Sequence, residues 1–244
     1  MKLLAQWTRR SAVKAQEIVW IERVAGSSPP EVGSQLSGWT IEKRRPSHLN
    51  ARRSEGDVTY FLKWFFHSRW AHPARKEWRN SIVLRDLGIP TVKAVGWGRH
   101  LKGSFVVLEG SRGFSLEQWR TNGLTEEDLV KIAGDLAHLA ARLHSAGWCH
   151  KDLNVYHVIV SSGGIRLIDV GRVSRFHHGR WIVKDLASLL ASARREHVPM
   201  SAGRAFFRHY LLKSGRVQQR RSLLRAVVKK SHRYQRHNEK REAM

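Results

Sequence analysis

The order of strand-like and helix-like segments most constrains how this chain can fold. Residues 58–66 are rich in β-branched and aromatic side chains, which favours a strand, and shorter strand patterns follow near 91–97 and 104–109. Between them, Pro73 opens a helical pattern that ends near Leu87, just before a glycine and a proline. The first part of the chain is therefore predicted to be mainly strand, with one helix.

A long helix dominates the second part of the sequence. It is predicted to run from Thr125 to about Ser145, because leucines recur at helical spacing and Thr125 with Asp128 forms a capping-box pattern. Residues 158–168 then indicate a β-hairpin around a Ser-Ser-Gly-Gly turn. Further helical patterns cover 183–196 and 202–213.

The length of 244 residues suits one domain or two small lobes. We predict an α+β fold: a β-rich lobe over 1–109, to which residues 1–40 add strands or a helix, and a mainly helical lobe over 110–244 that ends in a basic helical tail.

The single cysteine, Cys149, excludes an intramolecular disulfide and a zinc–cysteine cluster. Apolar runs are far shorter than the about 20 residues of a membrane span. The single cysteine fits a reducing cytosol, and Arg9 and Arg10 come too early for the apolar region of a signal peptide, so a cytoplasmic protein is expected.

The charge of the chain is extreme. Its 44 Lys and Arg outweigh 20 Asp and Glu, for a net charge of +24, so the protein is expected to seek anions such as nucleic acid, anionic lipid or phosphorylated substrates. Residues 203–244 contain thirteen Lys or Arg but only two acidic residues. Two interpretations of this tail stay open: a patch that contacts an anionic membrane, or a solvated helical face.

One lysine and four later residues carry the predicted chemistry. Lys63 lies inside the apolar strand, where a lysine is costly unless it meets an anion, and Glu77 on the following helix is a candidate partner. His150 and Asp152 follow the long helix, and Asp169 ends the hairpin. This order of strand lysine, helix glutamate, His-x-Asp, hairpin and Asp-x-Gly is the layout of protein kinases. Phosphoryl transfer needs a cation on the nucleotide phosphates, a carboxylate on Mg²⁺ and a carboxylate to orient the attacking hydroxyl.

Over about residues 58–190 the chain resembles the lipopolysaccharide core kinases, the Kdo and heptose kinases of Gram-negative bacteria. The residues that carry the resemblance are Phe61, Leu62 and Lys63; Glu77; Gly88, Ile89, Pro90, Thr91 and Val92; His150, Lys151, Asp152 and His157; Ile168 to Val173; and Lys184 to Ala187. The most specific marks are His157, where protein kinases carry Asn, and the run that begins at Ile168.

The resemblance implies a bilobal protein-kinase-like fold and a kinase that uses ATP and Mg²⁺. Its acceptor would be a sugar hydroxyl, of Kdo or heptose, in the lipopolysaccharide core or its Kdo–lipid A precursor. The protein would then be peripheral on the cytoplasmic face of the inner membrane, with that anionic surface as a partner and no specific nucleic acid.

The resemblance also assigns roles to single residues. Lys63 would contact the α- and β-phosphates and Glu77 would hold Lys63, while Asp152 would be the catalytic base, with His150 in the same catalytic motif. Asp185 would stabilise the catalytic loop. The nucleotide would further contact Val107, Leu108 and Glu109 as a hinge for adenine, and Ile168 beside the Mg²⁺ ligand Asp169.

The sequence departs from the protein-kinase pattern in three places. No glycine-rich loop precedes Lys63, and residues 44–50 stand there instead. His157 is a soft donor for Mg²⁺, which prefers oxygen, so it either ligates the metal or only positions Asp152 and Asp169. The stretch 171–185 is short, which favours a small or lipid-linked acceptor over a peptide.

Two other classes of function stay open from the residues. The chain could be a small atypical protein kinase or antibiotic kinase, although a cationic aminoglycoside suits a protein of charge +24 poorly. It could also be a non-catalytic scaffold that binds nucleic acid through its charge, since fold does not fix function. The intact set of Lys63, Glu77, Asp152 and Asp169 favours an enzyme.

Overall fold

The computed structural model describes residues 19–24, 30, 32, 36–66, 73–100 and 103–242. The chain forms two compact units, one of residues 1–82 with 92–111 and one of 83–91 with 112–244. Residues 83–91, which are the end of the first helix and the chain after it, therefore belong to the second, helical unit. The sequence had predicted a single boundary at residue 109. Arg9 and Arg10, on which the signal-peptide argument rests, are outside the described residues.

The first unit contains a six-stranded antiparallel sheet and most of one helix. The strands lie in the order β1-β5-β6-β4-β3-β2. Their bounds are β1 Val19–Arg23, β2 Thr40–Arg44, β3 His48–Glu55, β4 Val58–Phe66, β5 Lys93–His100 and β6 Gly103–Glu109, and the helix is α1, Pro73–Asp86.

Alternation along β4 decides which face of this sheet is core. Leu62 and Trp64 are buried with Phe105 and Val107 of the neighbouring β6, because every second side chain of a strand points to the same face. Lys63 consequently lies on the other face. On β1, Glu22 accepts a hydrogen bond from the indole nitrogen of Trp78 on α1 at 2.7 Å, which ties the described part of residues 1–40 to the unit.

The second unit is built on four helices and short strands. Its strands form two sheets, β10-β9-β7 and β11-β8. The helices are α2 Glu126–Ser145, α3 Arg180–Arg195, α4 Met200–Lys213 and α5 Arg220–Glu242; the strands are β7 Phe114–Ser115, β8 Trp148–Cys149, β9 Val158–Ser161, β10 Gly164–Leu167 and β11 Ser174–Arg175.

Helix α2 begins as predicted, since the Thr125 hydroxyl accepts from the Asp128 amide while the Asp128 carboxylate accepts from the Thr125 amide. The leucines of α2 pack with Tyr210 and Leu211 of α4 in the core of the unit. Helix α5 packs through Leu223 and Val227. The basic tail is thus an integral part of this unit. No helix in the described part of the chain is long and apolar enough to cross a membrane.

Candidate active site

In the first unit, Lys63 and Glu77 form the ion pair that the sequence predicts. The Lys63 Nζ lies 2.7 Å from the Glu77 Oε1, and the Glu77 side chain is only 2% exposed while that of Lys63 is 18% exposed. A carboxylate so deeply buried is stable only with a charged partner. The pair therefore fixes the lysine ammonium on the face of β4 opposite to the core.

The residues of the predicted adenine hinge lie at the end of β6. Val107, Leu108 and Glu109 each have partners on β4 and on β5, and the Gly110 amide donates to the Thr59 carbonyl at 2.6 Å. Their backbone groups are therefore engaged in the sheet. The role of these residues at adenine stays a prediction.

Where a protein kinase carries its glycine-rich loop, this chain makes a tight turn between β2 and β3. The Arg45 amide donates to the His48 carbonyl at 2.8 Å, and the Ser47 hydroxyl is hydrogen-bonded to the His48 ring at 3.0 Å. The connection between these two strands is therefore made without glycine.

In the second unit, one buried carboxylate organises the loop after α2. Asp185 of α3 is fully buried and accepts hydrogen bonds from the backbone amides of His150 at 2.7 Å and Lys151 at 2.8 Å. His144 adds a third contact at 3.3 Å. Lys151 is held with a φ of 66°, a left-handed conformation that few residues other than glycine adopt. Asp185 thus fixes the loop that carries Asp152.

His150 belongs to the structural support of this loop. It is fully buried, and its Nε2 donates to the Ile168 carbonyl at 3.3 Å. Burial lowers the pKa of His150, so the ring stays neutral. Ile168 therefore joins the loop to the strand that leads to Asp169.

Asp152, His157 and Asp169 come together as one cluster. One ligand atom of each lies within 4.8 Å of the others. The His157 Nδ1 donates to the Asp152 carbonyl at 2.9 Å, and the Nε2 of the same ring lies 3.5 Å from the Asp169 Oδ2. Asp169 itself has a φ of 54°, in the left-handed region, so its carboxylate is held in the cluster by a strained backbone conformation.

Two polar residues beside Asp152 are missing from the sequence-based site. The Asn154 amide donates to the Asp152 carbonyl at 3.1 Å, and the Arg172 Nη1 lies 3.5 Å from the Asp152 Oδ2. Arg172 directly follows the Asp-x-Gly motif, so its position was a signal that a cation lies near the carboxylates.

The segment between Gly171 and Asp185 is short in the structure as well as in the sequence. After Gly171 the chain forms β11, which pairs with β8, and α3 begins at Arg180. Residues 176–179 are all that connect β11 to the helix.

A model of the lipopolysaccharide kinase (Kdo/WaaP) family matches residues 56–210, close to two thirds of the chain. Among curated proteins, the serine/threonine-protein kinase/endoribonuclease IRE1 of Oryza sativa subsp. japonica is 32% identical over 83 residues, which cover 30% of this chain and 9% of that protein.

Solved structures resemble the protein in fold. WaaP in complex with acyl carrier protein has a TM-score of 0.62 at 23% identity, and covers 80% of this chain and 88% of its own. An aminoglycoside-3'-phosphotransferase of type VIII has a TM-score of 0.55 at 19% identity, with coverages of 89% and 94%. WbdD, at 0.50 and 19%, matches 78% of this chain and 45% of its own. The fold is therefore that of the protein-kinase-like enzymes, as predicted.

Proposed function

The chain belongs to the lipopolysaccharide kinase (Kdo/WaaP) family, and from this premise we propose that it transfers the γ-phosphoryl group of ATP to a sugar hydroxyl of the lipopolysaccharide inner core. The observation that carries the proposal is the cluster of Asp152, His157 and Asp169, held by a loop that the buried Asp185 fixes. A scaffold protein has no need of such a loop or of its strained backbone.

In the proposed reaction Asp152 is the base. The acceptor hydroxyl oxygen attacks the γ-phosphorus, its proton passes to the Asp152 carboxylate, and the bond to the ADP oxygen breaks. Arg172, 3.5 Å from Asp152, adds a positive charge where the transferred group is negative. In the proposed assignment, Lys63 binds the α- and β-phosphates and Glu77 keeps its ammonium in place.

The donor set suits a divalent cation. Asp169 offers a carboxylate oxygen, and the His157 Nε2 beside it offers a second donor atom. The hydrogen bond from the His157 Nδ1 to a backbone carbonyl fixes the orientation of the ring, as in metal-ligating histidines. We propose that Asp169 and His157 hold Mg²⁺, which when bound neutralises charge on the nucleotide phosphates.

The metal role of His157 can be separated from a positioning role. Replacing His157 by Ala is expected to raise the Mg²⁺ concentration for half-maximal activity by at least about tenfold, whereas His157→Asn restores an oxygen donor and much of the affinity. A lower kcat with an unchanged Mg²⁺ requirement in both variants would mean that His157 only positions the carboxylates.

For the adenine, we propose that the end of β6, from Val107 to Glu109, and the chain that follows it provide the contacts, because the strand beside Lys63 leaves the sheet there. Ile168 stays in the proposal as the residue that links the nucleotide site to Asp169.

The acceptor and the location follow from family and charge. A phosphorylated, acidic glycolipid in an anionic membrane attracts a protein of charge +24, whereas a cationic aminoglycoside would be repelled. We therefore propose a Kdo or heptose hydroxyl of the core or of Kdo–lipid A as the acceptor. The site of action would be the cytoplasmic face of the inner membrane, where the protein binds peripherally.

The test is transfer of ³²P from [γ-³²P]ATP with Mg²⁺ into lipopolysaccharide or Kdo–lipid A, with an aminoglycoside and a mixed protein substrate as competing acceptors. Label in the glycolipid alone is expected. Label in the protein substrate or in the enzyme itself would instead identify an atypical protein kinase, and ATP binding without any transfer would favour a scaffold.

A further inference from the structure

A polar cavity of about 340 Å³ opens beside Asp152, entirely within the second unit. The loop after α2 forms one wall, and α3 and α5 form the others. Its lining carries four cations against the one carboxylate of Asp152, so the local field favours an anion. The cations are Lys151, Arg172, Lys184 and Arg195.

Two of these cations lack a neutralising carboxylate. Within the described residues, no carboxylate lies at ion-pair distance from the ammonium groups of Lys151 and Lys184, which instead lie 4.7 and 5.1 Å from the ring centre of Trp181. A contact with an aromatic ring compensates a charge less than a carboxylate does. Burial, followed by the nearby charge of Arg172, lowers the pKa of Lys184. A bound anion would relieve both costs.

The position of the cavity indicates which substrate it serves. Asp152, the proposed base, is in its lining, but the proposed metal ligands His157 and Asp169 are not. The nucleotide phosphates would have to reach the metal ligands, so the cavity lies on the side of Asp152 from which an acceptor hydroxyl would approach. The hydroxyl of Tyr234, contributed by α5, adds a donor suited to a sugar or an oxyanion.

We infer that this cavity binds an anionic substituent of the acceptor, a carboxylate or a phosphate, and so positions the neighbouring hydroxyl on Asp152. The volume is at the small end of the roughly 300–1,000 Å³ of ligand pockets, which suits one acidic sugar. The inference rests on the proposed function in taking Asp152 as the base, but anion binding can be measured without any transfer reaction.

The binding test follows the rate at which an amine-acylating reagent modifies single lysines of the wild-type protein, read by mass spectrometry. Inorganic phosphate and free Kdo are the anionic probes, and methyl glucoside is the neutral one. Saturating phosphate or Kdo is expected to slow modification of Lys184 several-fold. The matched control is Lys131, an exposed lysine on α2, whose rate should not change. No protection of Lys184, or equal protection by methyl glucoside, overturns the inference.

The kinetic test uses Lys184→Gln and Arg195→Gln, with Lys131→Gln as the control. Each of the first two is expected to raise the KM for the glycolipid about tenfold, because a charge-assisted hydrogen bond is lost, while the KM for ATP stays within about twofold. Lys184→Arg keeps the charge and should recover most of the affinity. A rise in the KM for ATP instead would assign the cavity to the nucleotide and overturn the inference.

The arms of these tests separate the possible failures. The KM is also measured with acceptors from which phosphate has been removed. If the cavity binds the carboxylate, Lys184→Gln still raises the KM for these acceptors. If the cavity binds the phosphate, Lys184→Gln no longer changes it. Should the acceptor prove to be a protein, protection of Lys184 by phosphate would still stand, so the cavity and the proposed function fail independently. Unchanged melting temperatures of the variants exclude a general loss of folding.

Discussion

At the scale of single residues, two ion pairs of the first unit have the same length and very different surroundings. Lys63–Glu77 and Lys93–Glu109 both measure 2.7 Å. The Glu77 side chain is 2% exposed, whereas Lys93 and Glu109 are 52% and 34% exposed. Water and salt screen the second pair, so equal geometry does not mean equal energy.

This difference gives a paired prediction. Glu77→Ala removes the buried carboxylate that faces the Lys63 ammonium and should lower the free energy of unfolding by about 3–5 kcal/mol. Glu109→Ala, the matched control, should cost no more than about 1 kcal/mol. Urea unfolding of both variants measures the two values, and equal losses would show that burial of the Lys63–Glu77 pair is not what gives it its strength.

The neutral state of His150 predicts a pH dependence of stability. Its pKa is lowered in the folded protein, whereas an unfolded chain protonates histidine below about pH 6.5, so the unfolded state binds more protons as the pH falls. Stability should therefore be lost as the pH drops through that value, by up to about 1.4 kcal/mol per pH unit for this group. His150→Phe should remove this part of the slope in urea unfolding. An identical slope in the variant would contradict the assignment.

Much of the site was predictable at this scale because its residues have unusual chemistry for their local pattern. A lysine in an apolar strand predicts an anion, and Glu77 is found there. The strand pattern of Val107 and Leu108 did not reveal that β6 pairs with a strand on each side. Lys184, Arg195 and Tyr234 were not assigned to the site from the sequence, since α3 and α5 bring them to Asp152 only in the folded unit.

At the scale of elements, α3 fixes the loop after α2 through Asp185. Removing this carboxylate leaves the backbone amides of His150 and Lys151 without their partner and releases the left-handed backbone of Lys151. Asp185→Asn keeps the size of the side chain but loses its charge. We expect a loss of about 2–4 kcal/mol in unfolding free energy and a lower kcat, because hydrogen bonds to a charged group contribute about 1.5–3 kcal/mol each.

A capping variant provides the control for that prediction. Thr125→Ala removes the N-cap of α2 and should cost about 1 kcal/mol, but it lies in no proposed binding or catalytic contact, so kcat should be unchanged. Hydrogen exchange of the Lys151 amide should accelerate in Asp185→Asn and not in Thr125→Ala. Equal exchange in both variants would show that the loop does not depend on Asp185.

The elements that the sequence predicted are those with strong periodicity or clear ends. Helix α2 and its capping box, the hairpin and β4 lie where the patterns place them. Neither β2 nor β3 was predicted, because every residue of β2 is exposed and the two buried residues of β3, Leu49 and Ala51, are followed by Arg52 and Arg53. The predicted basic helical tail contains α5, but the buried side of this helix was not predicted, since only a few apolar residues, such as Leu223 and Val227, mark it.

At the scale of the whole molecule, charge rather than shape distinguishes this protein. Helix α5 buries Leu223, Val227 and Ser231 and exposes cations on its opposite side. Deletion of residues 203–244 would remove buried residues of the core, Tyr210 among them, and so cannot test membrane binding cleanly. Replacing only the outward cations separates charge from folding.

The triple variant Arg221→Gln, Arg225→Gln, Arg233→Gln is therefore predicted to weaken binding to vesicles that contain anionic lipid. With about 1 kcal/mol per charge, the loss should be roughly a hundredfold at low salt. A matched variant that removes three exposed cations elsewhere changes the net charge equally and should have a much smaller effect: Arg52→Gln, Arg85→Gln, Lys131→Gln. Equal losses in both variants would mean that net charge alone matters and that α5 does not face the membrane.

The central claim is that Asp152 is the base of a phosphoryl transfer from ATP, and steady-state kinetics of Asp152→Asn tests it most directly. The account predicts that kcat for label transfer to the glycolipid falls by about 10²–10⁴ while the Kd for ATP changes less than about twofold. Asp135→Asn, an exposed aspartate on α2, is the control and should keep full activity. Turnover of Asp152→Asn at the wild-type rate would contradict the account.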